Sequence, residues 1–368
     1  VKSHCFSRFD TMSSFNTPLT KLFGIKYPIM LAGMNVAAGP ELAAAVTNAG
    51  GLGVIGGFGY TPSMLRKQIK FIRDDLVDKD APFGVDLLLP QVGGNARKTN
   101  YDYTDGKLPE LIDIIIEEKV RLFVSAVGVP PTWVIEKLHA AGIPVMNMVG
   151  APKHAAKAIK AGVDIICAQG GEGGGHTGDL ATSILIPSVV DLCKGHKSPL
   201  TGEPVYVVAA GGIFDGRGLA MALCFGAQAV WVGTRFVCAT EAGAPKNHKD
   251  AIIQAGFHDT TRTIIYTGRP LRILKTPYVK DWEANRQEEI RTMTSKGIIP
   301  VHHEYDVRAE RGDDITADEM REKYTALLMG QCAGAISQIK PAAEIINEMV
   351  TECRTIFQNL NQQISSSL

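Results

Sequence analysis

The densest chemistry in the sequence lies in the run Ala168-Gln-Gly-Gly-Glu-Gly-Gly-Gly-His-Thr-Gly-Asp179. Six glycines there surround one amide (Gln169), two carboxylates (Glu172 and Asp179) and one imidazole (His176). A loop so stripped of side chains can lie flat against a planar ring and carry His176 up to a small substrate. With an ordinary pKa of ~6.5, a neutral imidazole is the side chain best suited to taking a proton near neutral pH. Gln169 can donate to or accept from a cofactor ring and so tune its electronics. A metal site joining His176 to Glu172 or Asp179 lacks a third ligand at a familiar spacing, so no metal is expected.

A second cluster reads as a phosphate cradle. Ala209-Ala-Gly-Gly-Ile213 is followed by Asp215-Gly-Arg-Gly218 at a helix start, and Trp231-Val-Gly-Thr234 closes another apolar run. Backbone N–H groups at these glycines, the Thr234 hydroxyl and a helix N-terminus suit a phosphate dianion. The competing reading is that the glycines only permit tight turns.

The elements that must position these groups alternate. Eight apolar runs punctuate residues 29–234: Ile29–Met34, Leu52–Gly57, Phe83–Leu88, Leu122–Val127, Pro144–Val149, Val163–Ala168, Val205–Ala210 and Ala229–Thr234. Helix-like stretches separate them, and Gly142, Gly162 and Gly226 sit where helix C-caps precede a strand. Near-continuous apolar strands suit a parallel sheet covered by helices, and eight such units predict a (β/α)8 TIM barrel, whose working residues stand where strands end. The glycines at 50, 51, 53, 56, 57 and 59 lie in and just after the second strand, where they serve tight turns and close backbone approach rather than a dinucleotide fingerprint.

The expected organisation is an N-terminal extension over 1–18, possessing no apolar signal region, with Met12-Ser-Ser as a natural start after an unrelated Val1–Thr11 segment. A barrel over 19–258 follows, then a smaller helical and loop lobe or lid over 259–330, then residues 331–368 as a returning helix with a polar tail. Met329–Ile336 reads as apolar helix, and Lys340-Pro-Ala marks the start of the last one. In the lobe, adjacent His302 and His303 point apart and read as exposed. Arg269 and Arg272 could reach an anionic substrate or pin the lid by ion pairs, and Tyr266 and Trp282 are open.

Thirty-eight basic and 38 acidic residues balance, with a pI near 7.2. That argues against a broad basic face for nucleic acid or anionic membrane. No apolar run approaches the ~20 residues of a membrane span. The seven cysteines are scattered, without a Cys-x-x-Cys pair, and read as buried free thiols in a reducing compartment, the cytoplasm. The terminal Ser-Ser-Ser-Leu368 lacks the Lys of a peroxisomal address. A homodimer is left open.

The run Gln169-Gly-Gly-Glu172-Gly-Gly-Gly-His176-Thr-Gly178 resembles the Gln-Gly-x-Glu-Ala-Gly-Gly-His-x-Gly signature of nitronate monooxygenases, formerly called 2-nitropropane dioxygenases. Supporting matches are Pro28–Met34, Asn48–Gly53, Ala209–Gly218 and Gly233–Phe236, so the resemblance spans Leu19 to the final helix. It implies non-covalent FMN, with the phosphate against Gly211, Gly212, Gly233 and Thr234. The flavin ring would meet the backbone of Ala32, Gly33 and Met34, with Gln169 and Gly174 beside it. At the end of the third strand the family often has Asn; Asp86 stands here, expected to be an acceptor-only carboxylate near the flavin. Gly173 replaces the usual Ala, a change expected to loosen the loop. His176 is the implied catalytic residue. It would remove the α-proton of a nitroalkane or steady an alkyl nitronate such as propionate 3-nitronate. The implied reaction is oxidation of that nitronate by O2 to a carbonyl compound and nitrite, without an external reductant. Flavin-dependent enoyl-acyl-carrier-protein reductases and some NADH:quinone reductases share much of the pattern. NAD(P)H-dependent reduction of quinones or enoyl thioesters is therefore the alternative. A flavin-binding sensor or scaffold fits poorly, since it would not need the imidazole.

Overall fold

The computed structural model describes residues 15–365. Its strands, in chain order, are β1 (Ile29–Leu31), β2 (Gly53–Gly57), β3 (Phe83–Leu88), β4 (Leu122–Ala126), β5 (Val145–Val149), β6 (Ile165–Gln169), β7 (Gly175–His176), β8 (Tyr206–Ala210), β9 (Ala229–Val232), β10 (Thr260–Thr263) and β11 (Leu271–Leu274). Eight of them form one parallel sheet in the order β1-β9-β8-β6-β5-β4-β3-β2. A single parallel bridge, Met30 to Leu52, joins its two edges, so the sheet closes into a barrel whose loosest seam lies between β1 and β2. Helices fill the intervals, and the expected (β/α)8 architecture is what the chain adopts.

Alternation along each strand sorts the core into two layers. Met30, Val54, Val124, Met146, Ile165, Cys167, Val208 and Trp231 point inward and pack together with Leu19, Phe23 and Ile25. Those last three belong to helix Pro18–Phe23 and the turn after it, which leads into the start of β1, so the helix plugs the bottom of the barrel. Ile29, Leu31, Ile55, Val85, Phe123, Val145, Ile166 and Val230 point outward under the helices. Each fully buried aliphatic side chain of this kind contributes roughly 1.5–3 kcal/mol. At the bottom, Asp164 accepts hydrogen bonds from the Val145 N–H (2.7 Å) and the Ser198 hydroxyl (2.6 Å), and its Oδ2 lies 2.8 Å from Nε2 of His139.

The remaining strands form a separate antiparallel sheet, β10-β11-β7, that sequence periodicity did not reveal. It stitches the glycine loop, which contains β7, to the lobe. Helices Pro277–Asn285, Gln287–Ser295 and Pro300–Glu310 follow. The lobe has its own small core of Ile265, Tyr266, Ile273, Val279, Trp282 and Val301. Tyr266 and Trp282 are thus structural: the Tyr266 hydroxyl donates to the Lys323 carbonyl, and the Arg286 guanidinium stacks 3.3 Å from the Trp282 ring centre. His302 and His303 are exposed, as expected.

Two expectations need correction. Met329–Ile336 contributes only a short 3-10 turn, Gln331–Ala335, because Gly330 and Gly334 interrupt helix formation. Cys224 is exposed at a helix end, whereas Cys167, Cys193, Cys238, Cys332 and Cys353 are buried free thiols. Cys5 and the Val1–Thr11 segment lie outside the described residues. The last helix, Ala342–Ser365, begins just after Lys340-Pro341 and packs on helices Gly216–Cys224 and Pro40–Asn48. Among the described residues no helix is long and apolar enough to cross a membrane.

Candidate functional site

The C-terminal ends of the barrel strands converge on the glycine loop after β6. Gln169 ends that strand at an inward position, and its Nε2 donates to the carbonyls of His176 (3.0 Å) and Gly174 (3.3 Å). Glu172 turns the other way. Its carboxylate accepts from the backbone N–H of Thr182 (2.9 Å) and from the Thr182 hydroxyl (2.7 Å), capping helix Thr182–Cys193. Glu172 is therefore an anchor of the loop, and among the described residues no His/Cys/Asp/Glu group could hold a metal.

Two arginines from the hairpin hold the same stretch of chain, and a third, Arg269, ties the hairpin to other loops at the mouth. Arg272 Nε donates to the Gly171 carbonyl (2.8 Å), Arg262 Nη1 to Gly178 (2.8 Å), and Arg269 reaches Val127 across the mouth (3.0 Å) and Asn100 Oδ1 (3.0 Å). Arg269 and Arg272 pin the lid through carbonyl oxygens and not through ion pairs. Among the described residues neither has a carboxylate partner. Arg272 feels the Glu172 carboxylate at longer range, whereas no carboxylate acts on Arg269. Val127 itself adopts a left-handed conformation (φ 72°), rare for a β-branched residue, and so does Val36 (φ 58°) after β1. Strain of this kind gathers where the surrounding structure over-determines a functional backbone.

His176 sits in β7, opposite Leu271 of β11. Its Nε2 lies 3.1 Å from Oγ1 of Thr267. With the Thr267 hydroxyl donating to the Arg269 carbonyl (3.3 Å), its oxygen would accept from Nε2–H and leave Nδ1 a lone pair. Burial, and secondly the positive charge of Arg269, push the imidazole down to about 4. The ring retains some access to solvent, yet protein surrounds most of it. At physiological pH it is a neutral base beside an unpaired cation.

The residues assigned to a phosphate also come together. Gly211 and Gly212 are left-handed (φ 96° and 72°), and a Cβ on Gly212 would meet Cβ of Glu172 at 3.3 Å. Gly233 faces Ala32 and Met34 at ordinary contact distance. The Thr234 hydroxyl accepts from the Gly330 N–H (2.9 Å), and Gly330 also lies against Gly174. The helix start at Gly216 differs from expectation: its N–H groups are already taken, Gly218 by Asp215 (2.9 Å) and Gly216 by Glu352 (2.7 Å). Glycines 211, 212 and 233 with Thr234 are the donors that remain. Gly330, Thr267, Thr182 and Glu352 were not singled out from the sequence; each acts across a long separation that no local spacing reveals.

Gly33, Gly56 and Asp86 build the floor of the mouth. A Cβ on Gly56 would come within 2.2 Å of the Met34 nitrogen, and one on Gly33 within 2.4 Å of Asp86 Oδ2, so both positions require glycine. Asp86 is 2 % exposed and its Oδ1 has no hydrogen-bond partner. Burial raises its carboxyl well above the usual carboxylate range. The bare backbone of Gly33 and Gly56 fits the approach of a flat ring such as a flavin.

Barrel and mouth together define a flavin-dependent oxidoreductase acting on a small organic substrate. The sequence profile described as nitronate monooxygenase matches residues 16–352, and the chain belongs to that family. It is 40% identical over 272 residues to the (3aS,4S,5R,7aS)-5-hydroxy-7a-methyl-1-oxo-octahydro-1H-indene-4-carboxyl-CoA dehydrogenase of Rhodococcus jostii, covering 74% of this chain and 69% of that one. Among solved structures it is similar to FabK from Thermotoga maritima, with TM-score 0.75 and 32% identity over 95% of this chain and 100% of the other. It is also similar to a nitroalkane oxidase from Streptomyces ansochromogenes, with TM-score 0.73 and 27% identity over 93% and 99% of the two chains.

Proposed function

We propose that this chain is an FMN-dependent oxidoreductase of acyl thioesters in which His176 moves the α-proton of the substrate. The observation that carries the reading is the neutral His176 imidazole set beside the unpaired Arg269. An α-hydrogen next to a thioester carbonyl is acidic only if the resulting enolate oxygen is stabilised. A base with a free lone pair and an adjacent cation supply both halves of that requirement. In the dehydrogenating direction His176 takes the α-proton while Arg269 opposes the growing negative charge; in the reducing direction the same nitrogen returns it.

The ring would lie against the backbone of Ala32, Gly33 and Met34, with Gln169, Gly174 and Asp86 at its edges. Gly211, Gly212, Gly233 and Thr234 would take its phosphate. When bound, FMN supplies the two-electron exchange at the β-carbon. The thioester class is supported by the carboxyl-CoA dehydrogenase from Rhodococcus jostii, the 40% identical relative.

Nitronate oxidation is the second reading, favoured by the family profile and by the nitroalkane oxidase structure. Chemically the two are neighbours, since a nitronate and a thioester enolate are both planar oxyanions formed by loss of an α-proton. Anaerobic mixing separates them. The thioester reading expects the yellow flavin absorption to bleach with NADPH, NADH or a saturated acyl-CoA and to return with an enoyl-CoA. Bleaching by propionate 3-nitronate, with none by thioesters or pyridine nucleotides, would establish nitronate oxidation instead.

A further inference from the structure

Four large apolar side chains stand exposed on the loops that leave β1, β2 and β3 at the mouth: Val36, Phe58, Val92 and Tyr101. Two of them belong to one built cluster. Phe58 and Tyr101 are each 43 % exposed, and both rest edge-on against Tyr103, which is 8 % exposed. The ring centres of Phe58 and Tyr103 lie 4.9 Å apart, and those of Tyr101 and Tyr103 4.6 Å. Edge-to-face pairs of this kind fix the orientation of the rings and leave their outer faces in water.

The loop that carries the two tyrosines is tied down on both sides. Asn100 Nδ2 donates to the Gln91 carbonyl (2.7 Å), and Asn100 Oδ1 accepts from Arg269 (3.0 Å). Asp102 accepts from the Thr104 N–H (2.8 Å), the Thr104 hydroxyl (2.7 Å) and the Gly106 N–H (2.8 Å), which shapes the turn around Tyr103. Thr99 packs so closely on the hairpin turn that a Cβ on Gly268 would come within 2.2 Å of its hydroxyl oxygen. Phe58 arrives from the other side, as the residue that follows β2 and the second after Gly56 of the floor. The three rings thus run from the floor at Gly56 toward Arg269, whose charge acts on Tyr103. Arg269, the proposed partner of the thioester oxygen, is bonded to Asn100, the residue next to Tyr101. A substrate held there has exposed, pre-oriented aromatic surface within reach of its acyl chain.

We propose that Phe58 and Tyr101 are the wall on which the acyl group of the thioester lies, and that they select apolar chains or rings extending past the β-carbon. Apolar surface covered by such a group is removed from water on both sides, and rings already held in place lose little freedom when covered. The inference rests on the thioester reading above and names the acyl groups that it takes.

The test compares crotonyl-CoA with decenoyl-CoA on the full-length, FMN-loaded protein, with NADPH or NADH in excess. The ratio of their kcat/KM values cancels any loss of folded or flavin-loaded enzyme. In the wild type kcat/KM should rise along the chain-length series, by up to about fourfold for each methylene that the wall covers. Phe58→Ala and Tyr101→Ala should each lower the decenoyl-to-crotonyl ratio by about tenfold. Tyr101→Phe, which keeps the ring, should retain it. Should one alanine variant fail to fold, the other, on a different loop, decides. A wild-type series that is flat, or ratios unchanged in the alanine variants, overturns the inference alone. So does a loss confined to the KM for NADPH or NADH. A protein that turns over no enoyl-CoA overturns the thioester reading, and this inference with it.

Discussion

Nε2 of His176 and Oγ1 of Thr267 lie 3.1 Å apart, although 91 residues of chain separate them. The glycine loop and the lobe are thereby one unit: β7 pairs with β11, and the turn before β11 fixes the imidazole that β7 carries. The lobe thus shapes the surroundings of the proposed base, as well as covering it.

Replacing His176 by Ala should lower turnover by roughly 10²–10⁴-fold, the usual contribution of a positioned general base. Flavin content should stay near the wild-type level, because the proposed ring and phosphate contacts come from other residues. Turnover numbers normalised to bound flavin check this. Activity within a few-fold of wild type would remove His176 from the mechanism.

The acid limb of the pH profile should be low. His176 stays unprotonated down to about 4, below its ordinary ~6.5, chiefly through burial and secondly through Arg269. Turnover should be flat through neutrality and fall as pH drops toward that value. The same shift stabilises the fold above the unfolded-state value of ~6.5, and the contribution is lost as pH falls from there to about 4. In Arg269→Gln the kinetic limb should move up part of the way toward ~6.5, since the larger, burial-derived part persists. A limb that does not move would show that Arg269 exerts no field on the ring.

Gly173→Ala tests the loop. A Cβ there would stand 2.8 Å from Gln169 Nε2, the group that holds the carbonyls of Gly174 and His176. The space beside Gly173 is occupied by the Gln169 carboxamide. The substitution should displace the carboxamide and weaken FMN binding by about tenfold, equivalent to ~1.4 kcal/mol. Equilibrium dialysis against FMN measures it.

At the other end of the barrel, Asp164→Ala should destabilise the fold by about 2–4 kcal/mol, because it strands the Val145 N–H and the Ser198 hydroxyl, both buried. Urea unfolding with an unchanged m-value would report it, and flavin affinity near neutral pH should hardly change.

Much of the scaffold was legible because the barrel strands are short apolar runs, and β3 coincides with its predicted span, Phe83–Leu88. Strand β1 stops at Leu31, short of the predicted Met34, since Ala32-Gly-Met34 leaves the sheet to approach Gly56. The antiparallel sheet was illegible for physical reasons. Strand β7 has two residues and therefore no period, and β10 is Thr-Thr-Arg-Thr, whose order comes from pairing with β11. His176 and Gln169 announced themselves by residue type. Thr267, Gly330 and the Glu172–Thr182 cap did not, because nothing in the local sequence says what a residue meets ten or ninety positions away.

The most direct test of the central claim follows the α-proton. Turnover of an enoyl-CoA with NADPH or NADH in heavy water should place one solvent deuterium at the α-carbon of the wild-type product, read by mass spectrometry. The His176→Ala variant, matched for bound flavin, should form that product at a rate lower by about 10²-fold or more. Equal rates in the two proteins, or no product from any thioester while nitrite accumulates from propionate 3-nitronate, would contradict it.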